Sequence, residues 1–193
     1  MKRALIGFGG HAREVLAQIG ENITCFVDEG YEIPNTQTLP LSQFNPEQYE
    51  IMVAISNPTD RDNIINRLPL QTKYFTFIHP TALILSDTVH IGEGSFIGAY
   101  SILTTNIEIG KHSILNRSCH IGHDTVAGDF LTMMPGAVLS GNCKVGYKVY
   151  LGTNSAVREK LTICNEVIVG LNAGVVSHII KSGTYVGVPA IKK

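Results

Sequence analysis

The residues in this chain best suited to moving a proton stand together at His123-Asp124. Imidazole titrates near neutral pH and is the side chain most often used as a general base. The adjoining carboxylate can orient the ring and raise its basicity. A second stretch, Gly7-Phe8-Gly9-Gly10-His11-Ala12, has the form G-x-G-x-x-A, and Asp28 follows 16 residues after Ala12. Glycines in that pattern let the backbone approach a pyrophosphate. A helix start offers free N–H groups to negative charge, and an acidic residue further on can bond a ribose hydroxyl. Each motif has a plainer alternative, a solvent-facing histidine in the first case and a tight turn in the second.

Two kinds of element must position these residues. From Leu85 to Val175 every sixth residue is apolar, and glycine often follows the anchor, as in Gly92, Gly98, Gly110 and Gly122. A period of six is neither helical nor simply alternating. It is the signature of a hexapeptide β-helix, in which three hexads make one triangular coil. The pattern extends to about Ile180, a little over five coils, or roughly 25 Å at the ~4.8 Å spacing of neighbouring strands. It has no insertion, so the prism cannot build a lid from its own loops. His123 falls two places past the anchor Ile121, on an outer surface near a coil corner. Gly141 lies one coil beyond His123 and is the candidate backbone N–H donor to an oxyanion. The tail, with Val186-Gly187-Val188-Pro189-Ala190, can close the last coil.

Residues 1–78 read instead as a small α/β unit with parallel strands. Strands are expected at 3–7, 23–27, 51–55 and 74–78. Helices are expected at 12–19 and from a cap near Thr59 or Asp60 to residue 68, with a Pro/Thr-rich segment after Asp28. His79-Pro80 marks the change to period six, which divides the chain into 1–78 and 79–193. A dinucleotide needs two mononucleotide halves and this unit supplies one, which favours a mononucleotide or nucleotide sugar over NAD.

Composition narrows the class further. The chain has 193 residues, 44 % of them apolar and 7 % aromatic with no tryptophan, so its core must be aliphatic. Fifteen Lys and Arg against sixteen Asp and Glu give a net charge of −1, which offers nucleic acid no electrostatic support. No apolar run is long enough for a signal peptide or membrane span. Cys25, Cys119, Cys143 and Cys164 show no paired spacing and read as reduced, which fits a cytoplasmic protein. Lys144, Lys148, Arg158 and Lys160 fall within about one coil and can meet coenzyme phosphates or form a solvated face. His112, His120 and His123 invite a zinc reading, since gamma-class carbonic anhydrases place zinc on a similar solenoid. Their histidines usually have four residues between them; here the gaps are seven and two.

Taken together, the Gly-Gly-His turn, the unbroken hexads, Asn116…His123-Asp124…Gly128-Asp129 and Gly187-Val188-Pro189-Ala190 resemble the sugar O-/N-acyltransferases of the sialic acid O-acetyltransferase type. That group includes N-acetyltransferases of nucleotide-linked 4-amino-4,6-dideoxy sugars. The resemblance covers nearly the whole chain. It implies a small Rossmann-like domain followed by a left-handed parallel β-helix, assembled as a homotrimer, with acetyl-CoA in a cleft between subunits and no metal. It implies His123 as general base, Asp124 as its helper and Asn116 as a polar active-site residue. Gly9, Gly10, His11, Asp28, Glu29 and Ser56 would hold the nucleotide sugar, and Thr132, Thr153 and Leu171 would lie at coenzyme contacts. Thr132 departs from the histidine that some members carry, and Leu171 stands where glycine is frequent. No serine or cysteine is arranged as a nucleophile beside His123, so transfer is expected to be direct. The alternatives are O-acetylation of sialic acid or another sugar hydroxyl, a non-catalytic trimeric scaffold, and a zinc hydratase.

Overall fold

A computed structural model describes every residue except Glu21, Asn22, Glu32, Pro34, Asn35 and Gln37. The N-terminal unit is a five-stranded parallel sheet of order β3-β2-β1-β4-β5, with β1 Lys2–Ile6, β2 Thr24–Val27, β3 Thr38–Pro40, β4 Tyr49–Val53 and β5 Lys73–Tyr74. Its apolar strand ends, Ala4, Leu5, Ile6, Ile51, Met52 and Val53, are buried. Helix α1 (Gly10–Ile19) follows β1 and buries Ala12 and Val15. Helix α2 (Pro58–Ile65) starts at an Asn57 cap, whose side chain accepts from the Thr59 and Asp60 N–H groups, two to three residues before the expected cap. The short strand β3 lies in the segment read as Pro/Thr-rich coil; three residues pair with β2 too briefly to leave a periodic trace.

The rest is a triangular prism of parallel strands, a left-handed β-helix. Its first face begins at Phe77–Ile78, its second at Leu83–Ile84 and its third at Val89–Ile91. The segment expected as one strand over 74–78 is therefore divided: Tyr74 pairs with Ile51 in the α/β sheet, while Phe77 and Ile78 pair with Phe96 and Ile97 in the prism. Six strands stack on the second face, slightly more than the hexads suggest. At the corners the third residue past each anchor takes a left-handed backbone: Tyr100, Asn106, His112, Ser118, Asp124 and Phe130 have φ between 52° and 61°. This conformation costs about 1–2 kcal/mol in a non-glycine residue. Here each of these corner N–H groups donates to an oxygen of the coil before: Tyr100 and Asn106 to the hydroxyls of Thr81 and Thr88, the others to carbonyls, as Asp124 does to Thr105 at 3.1 Å. Inside, the anchors Ile97, Leu115, Met133, Leu151 and Val169 stack in one column.

The regularity breaks at both ends. Ile84, not Leu85, packs against the core, and Leu85 is 60 % exposed. Ile91 follows Ile84 by seven positions rather than six, so Phe77 and Leu83 pair 19 positions along and Val89 only 18. The extra residue sits in a turn held by a Ser86–Thr88 hydroxyl contact of 2.8 Å. In the last coil Ile179 bridges to Ile163, two residues early, and Gly183–Val186 closes the first face. Gly174 N–H donates to Gly187 and Ala190 N–H to Gly174, so the tail seals the end of the prism.

The α/β unit packs on the first face. Phe96 and Ile114, outward-facing strand residues of the prism, are buried in the same cluster as Ala4 and Phe26. Helix α1 reaches the corner between the first and second faces, where Gln18 Oε1 accepts from Ala99 N–H at 2.9 Å and Arg117 pairs with Glu14 at 3.2 Å. Helix α2 reaches the corner between the third and first faces. There Lys148 pairs with Asp62 at 2.7 Å, and Arg61 inserts fully buried. Arg61 donates to the carbonyls of His112 (2.8 Å), Phe130 (3.0 Å) and Ile55 (2.5 Å) and to Thr132 Oγ1 (2.9 Å). These partners, and the more distant Ser56 (3.2 Å) and Leu131 (3.4 Å) carbonyls, are all uncharged, and burial lowers its pKa to about 9.

Candidate functional site

His123 stands at the remaining corner, between the second and third faces, with a 57 % exposed side chain. Its Nδ1 lies 2.7 Å from Asp124 Oδ2. An ionised carboxylate only accepts, so Nδ1 carries the hydrogen and, when the ring is neutral, the lone pair is on Nε2. The hydrogen bond from His123, and then one from Asn106, holds the Asp124 carboxyl below its ordinary pKa. One coil further on, the ring lies over Gly141: a Cβ there would come 2.6 Å from His123 Nε2. The Gly141 N–H has no acceptor among the described residues, whereas the corresponding N–H of Tyr147 is taken by Asn165 Oδ1 at 3.1 Å. A ring nitrogen able to accept a proton and an unengaged N–H able to bond an oxyanion thus stand side by side.

A second site lies at the carboxyl ends of β1, β2 and β4, where strand order reverses about β1. It is a cleft of about 540 Å³ lined by Phe8, Gly9, Arg13, Asp28, Tyr31 and Ile33 among others. Gly7 turns the chain out of β1 at φ +108°, where a side chain would be strained and would crowd the Ala54 carbonyl oxygen at 3.3 Å. Gly9 precedes α1 with no side-chain cap, which leaves the helix start open to an anion. Asp28 is steadied by Arg67 at 2.8 Å.

The other sequence candidates fall elsewhere. Gly10 and His11 do not line the cleft. His11 turns toward the prism, edge-on to Phe96, and burial lowers its pKa to about 4. Glu29 accepts the Ser42 N–H at 3.0 Å. Ser56 lines a separate hollow with Lys148, Tyr150 and Glu166. Asn116 is 1 % exposed, with Oδ1 accepting from Arg117 N–H at 2.7 Å and Nδ2 unpartnered. It lies by the corner between the first and second faces, as do the exposed Thr153 and Leu171, one coil apart. Thr132 is fully buried; its hydroxyl accepts from Arg61 and donates to the Ser56 carbonyl, so it has no surface to offer a coenzyme.

The basic residues do not form one patch, since Lys148 is engaged with Asp62 at a different corner from Arg158 and Lys160. His112 is buried at the junction, stacked on Phe130 at 5.4 Å, while His120 points out from the second face. No three His, Cys, Asp or Glu among the described residues could share a metal. The four cysteines are free. No helix among the described residues is long and apolar enough to cross a membrane.

Sequence reasoning missed Asn106, Arg13, Tyr31 and Arg61. Asn106 had a signal, its one-coil spacing from Asp124; the other three had none.

Residues 2–68 match the family described as the PglD N-terminal domain. Over 173 residues, 80 % of this chain and 77 % of the relative, the sequence is 24 % identical to GDP-perosamine N-acetyltransferase from Escherichia coli O157:H7. The acetyltransferase domain of PglB from Neisseria gonorrhoeae, solved with acetyl coenzyme A, superposes on the whole chain with TM-score 0.87 and 28 % identity, covering 98 % of that chain. PerB from Caulobacter crescentus, solved with CoA and GDP-perosamine, gives TM-score 0.89 and 26 % identity, with 100 % of this chain and 97 % of that one covered.

Proposed function

We infer that this chain, a hexapeptide-repeat sugar acyltransferase that takes its acyl group from acetyl-CoA, is an N-acetyltransferase. Its acceptor is the 4-amino group of a nucleotide-linked 4-amino-4,6-dideoxy sugar. The observation that carries the reading is the His123–Asp124 pair set over Gly141. It occurs in a chain whose full length superposes on a protein solved with CoA and GDP-perosamine. The cleft beside Gly9 and Asp28 suits the nucleotide, with the diphosphate toward the start of α1.

The amine attacks the thioester carbonyl carbon directly. His123 Nε2 takes the proton the nitrogen sheds, and the Gly141 N–H bonds the oxyanion. The C–S bond then breaks, and the departing CoA thiolate receives the proton from the imidazolium. General-base help is worth about 100- to 10,000-fold.

The parts of this site are dispersed over one protomer. Contacts of the α/β unit fall on the first face and its two corners, whereas His123 stands at the third. Asn116, Thr153 and Leu171 lie by the corner between the first and second faces. This dispersal supports a homotrimer in which one chain's His123 corner completes its neighbour's site.

The test is free-thiol release from acetyl-CoA with UDP-, GDP- and dTDP-linked 4-amino-4,6-dideoxy sugars, alongside free and CMP-linked sialic acid. Release with one amino sugar, reduced at least ~100-fold by His123→Ala, and a sedimentation mass of three chains are the expected results. Release only with sialic acid would make the chain an O-acetyltransferase, and a loss under about tenfold would remove His123 from the role.

A further inference from the structure

We propose that Asn106 is a positioning residue for the reaction, fixing the Asp124 carboxylate so that His123 keeps its hydrogen on Nδ1 and its lone pair on Nε2. The inference rests on His123 being the base. Asn106 and Asp124 occupy the same corner position one coil apart, both left-handed, with φ 52° and 58°. Asn106 Nδ2 donates to Asp124 Oδ1 at 3.1 Å, while Oδ2 faces His123 Nδ1 at 2.7 Å. Each carboxylate oxygen thus has its own partner, and the plane of the group is set. Asn106 is itself anchored, its N–H donating to Thr88 Oγ1 at 2.8 Å.

An anchor is needed because the Asp124 side chain is 45 % exposed and its terminal torsion is broad. With one oxygen unheld, the carboxylate can turn toward water and release the imidazole. An amide suits the position because it can donate to a carboxylate without adding charge. Other ionisable groups are near: His90 and Glu108 line the same hollow as Asn106 and Asp124. Glu159 and Lys160 stand one coil past Gly141 and Asn142 on the same corner. The hydrogen bonds recorded for the Asp124 carboxylate come from Asn106 and His123.

Two variants test this in the full chain. Asn106→Gly removes the amide and tolerates the left-handed backbone. It is expected to lower kcat about tenfold, the order of one charge-assisted hydrogen bond at an exposed site, with both KM values within about twofold. In an Asp124→Ala background the same change should cost nothing, since Asn106 acts through that carboxylate. Asn106→Asp puts a second carboxylate beside Asp124 and should move the acidic limb of the pH–rate profile upward. It should also raise the His123 imidazole pKa in NMR titration of histidine-labelled protein, with the resonance assigned by His123→Gln.

An Asn106→Gly loss of equal size in both backgrounds would overturn the proposal, as would an Asn106→Asp variant with an unmoved His123 titration. If His123→Ala leaves turnover within tenfold of the parent, the base reading fails instead. The NMR titration then still decides whether Asn106 acts on the pair, because it needs no turnover.

Discussion

At His123 the ring is held from one side and packed from another. Asp124 fixes Nδ1, and Gly141 provides the floor on which the imidazole lies. The backbone of Gly141 is not among the left-handed residues, so alanine is conformationally allowed there, but its methyl group would occupy the space of His123 Nε2. Gly141→Ala should therefore push the ring out of place while the prism stays folded. Turnover is expected to fall at least ~10-fold, since displacement of about 1 Å costs roughly that or more, while the thermal midpoint moves by no more than about 2 °C. A midpoint shift far larger than this would mean that the coil itself had been disrupted.

Among the elements, α2 carries the junction. It delivers Arg61 into a space bounded by the third-to-first corner, where its donors meet carbonyls from both units. Burial of the guanidinium works against this arrangement and its hydrogen bonds work for it. Removing the side chain abolishes the bonds and leaves buried acceptors behind, each costing about 1–3 kcal/mol when unsatisfied. Arg61→Met should destabilise the chain by about 2–4 kcal/mol net and separate urea unfolding into two steps, the α/β unit melting first. A single transition at an unchanged midpoint would show that Phe96 and Ile114 hold the units together without it.

For the whole molecule, the same junction makes stability depend on pH. His112 is buried there and His11 largely so, and both have pKa values lowered to about 4 from an unfolded value near 6.5, chiefly by burial. The unfolded chain binds protons at these sites between those two values while the folded chain does not. Stability is thus full above pH 6.5 and is lost as pH falls toward 4, by about 2–3 kcal/mol per histidine near pH 4.5. Urea midpoints should fall steeply over that range, and His11→Leu should make the fall shallower by about half. Equal slopes in the two proteins would place the acid sensitivity elsewhere.

The prism was legible in the sequence because each hexad repeats the same local demand: an apolar anchor, a turn, a left-handed corner residue and a small inward side chain. Repetition makes such a pattern visible without knowledge of long-range contacts, and it also places His123 and Gly141 at the same corner one coil apart. At the ends, where Ile84 rather than Leu85 faces inward and Ile179 arrives two residues early, adjacent apolar residues made the register ambiguous. Pairing with the next coil resolved it. The tertiary structure alone placed the α/β unit on the first face, buried Thr132 and His112 at the junction, turned His11 toward Phe96, and turned Arg61 inward among carbonyls. Those outcomes depend on two surfaces distant in sequence meeting, and neither repeat nor spacing encodes which polar groups will be enclosed when they meet.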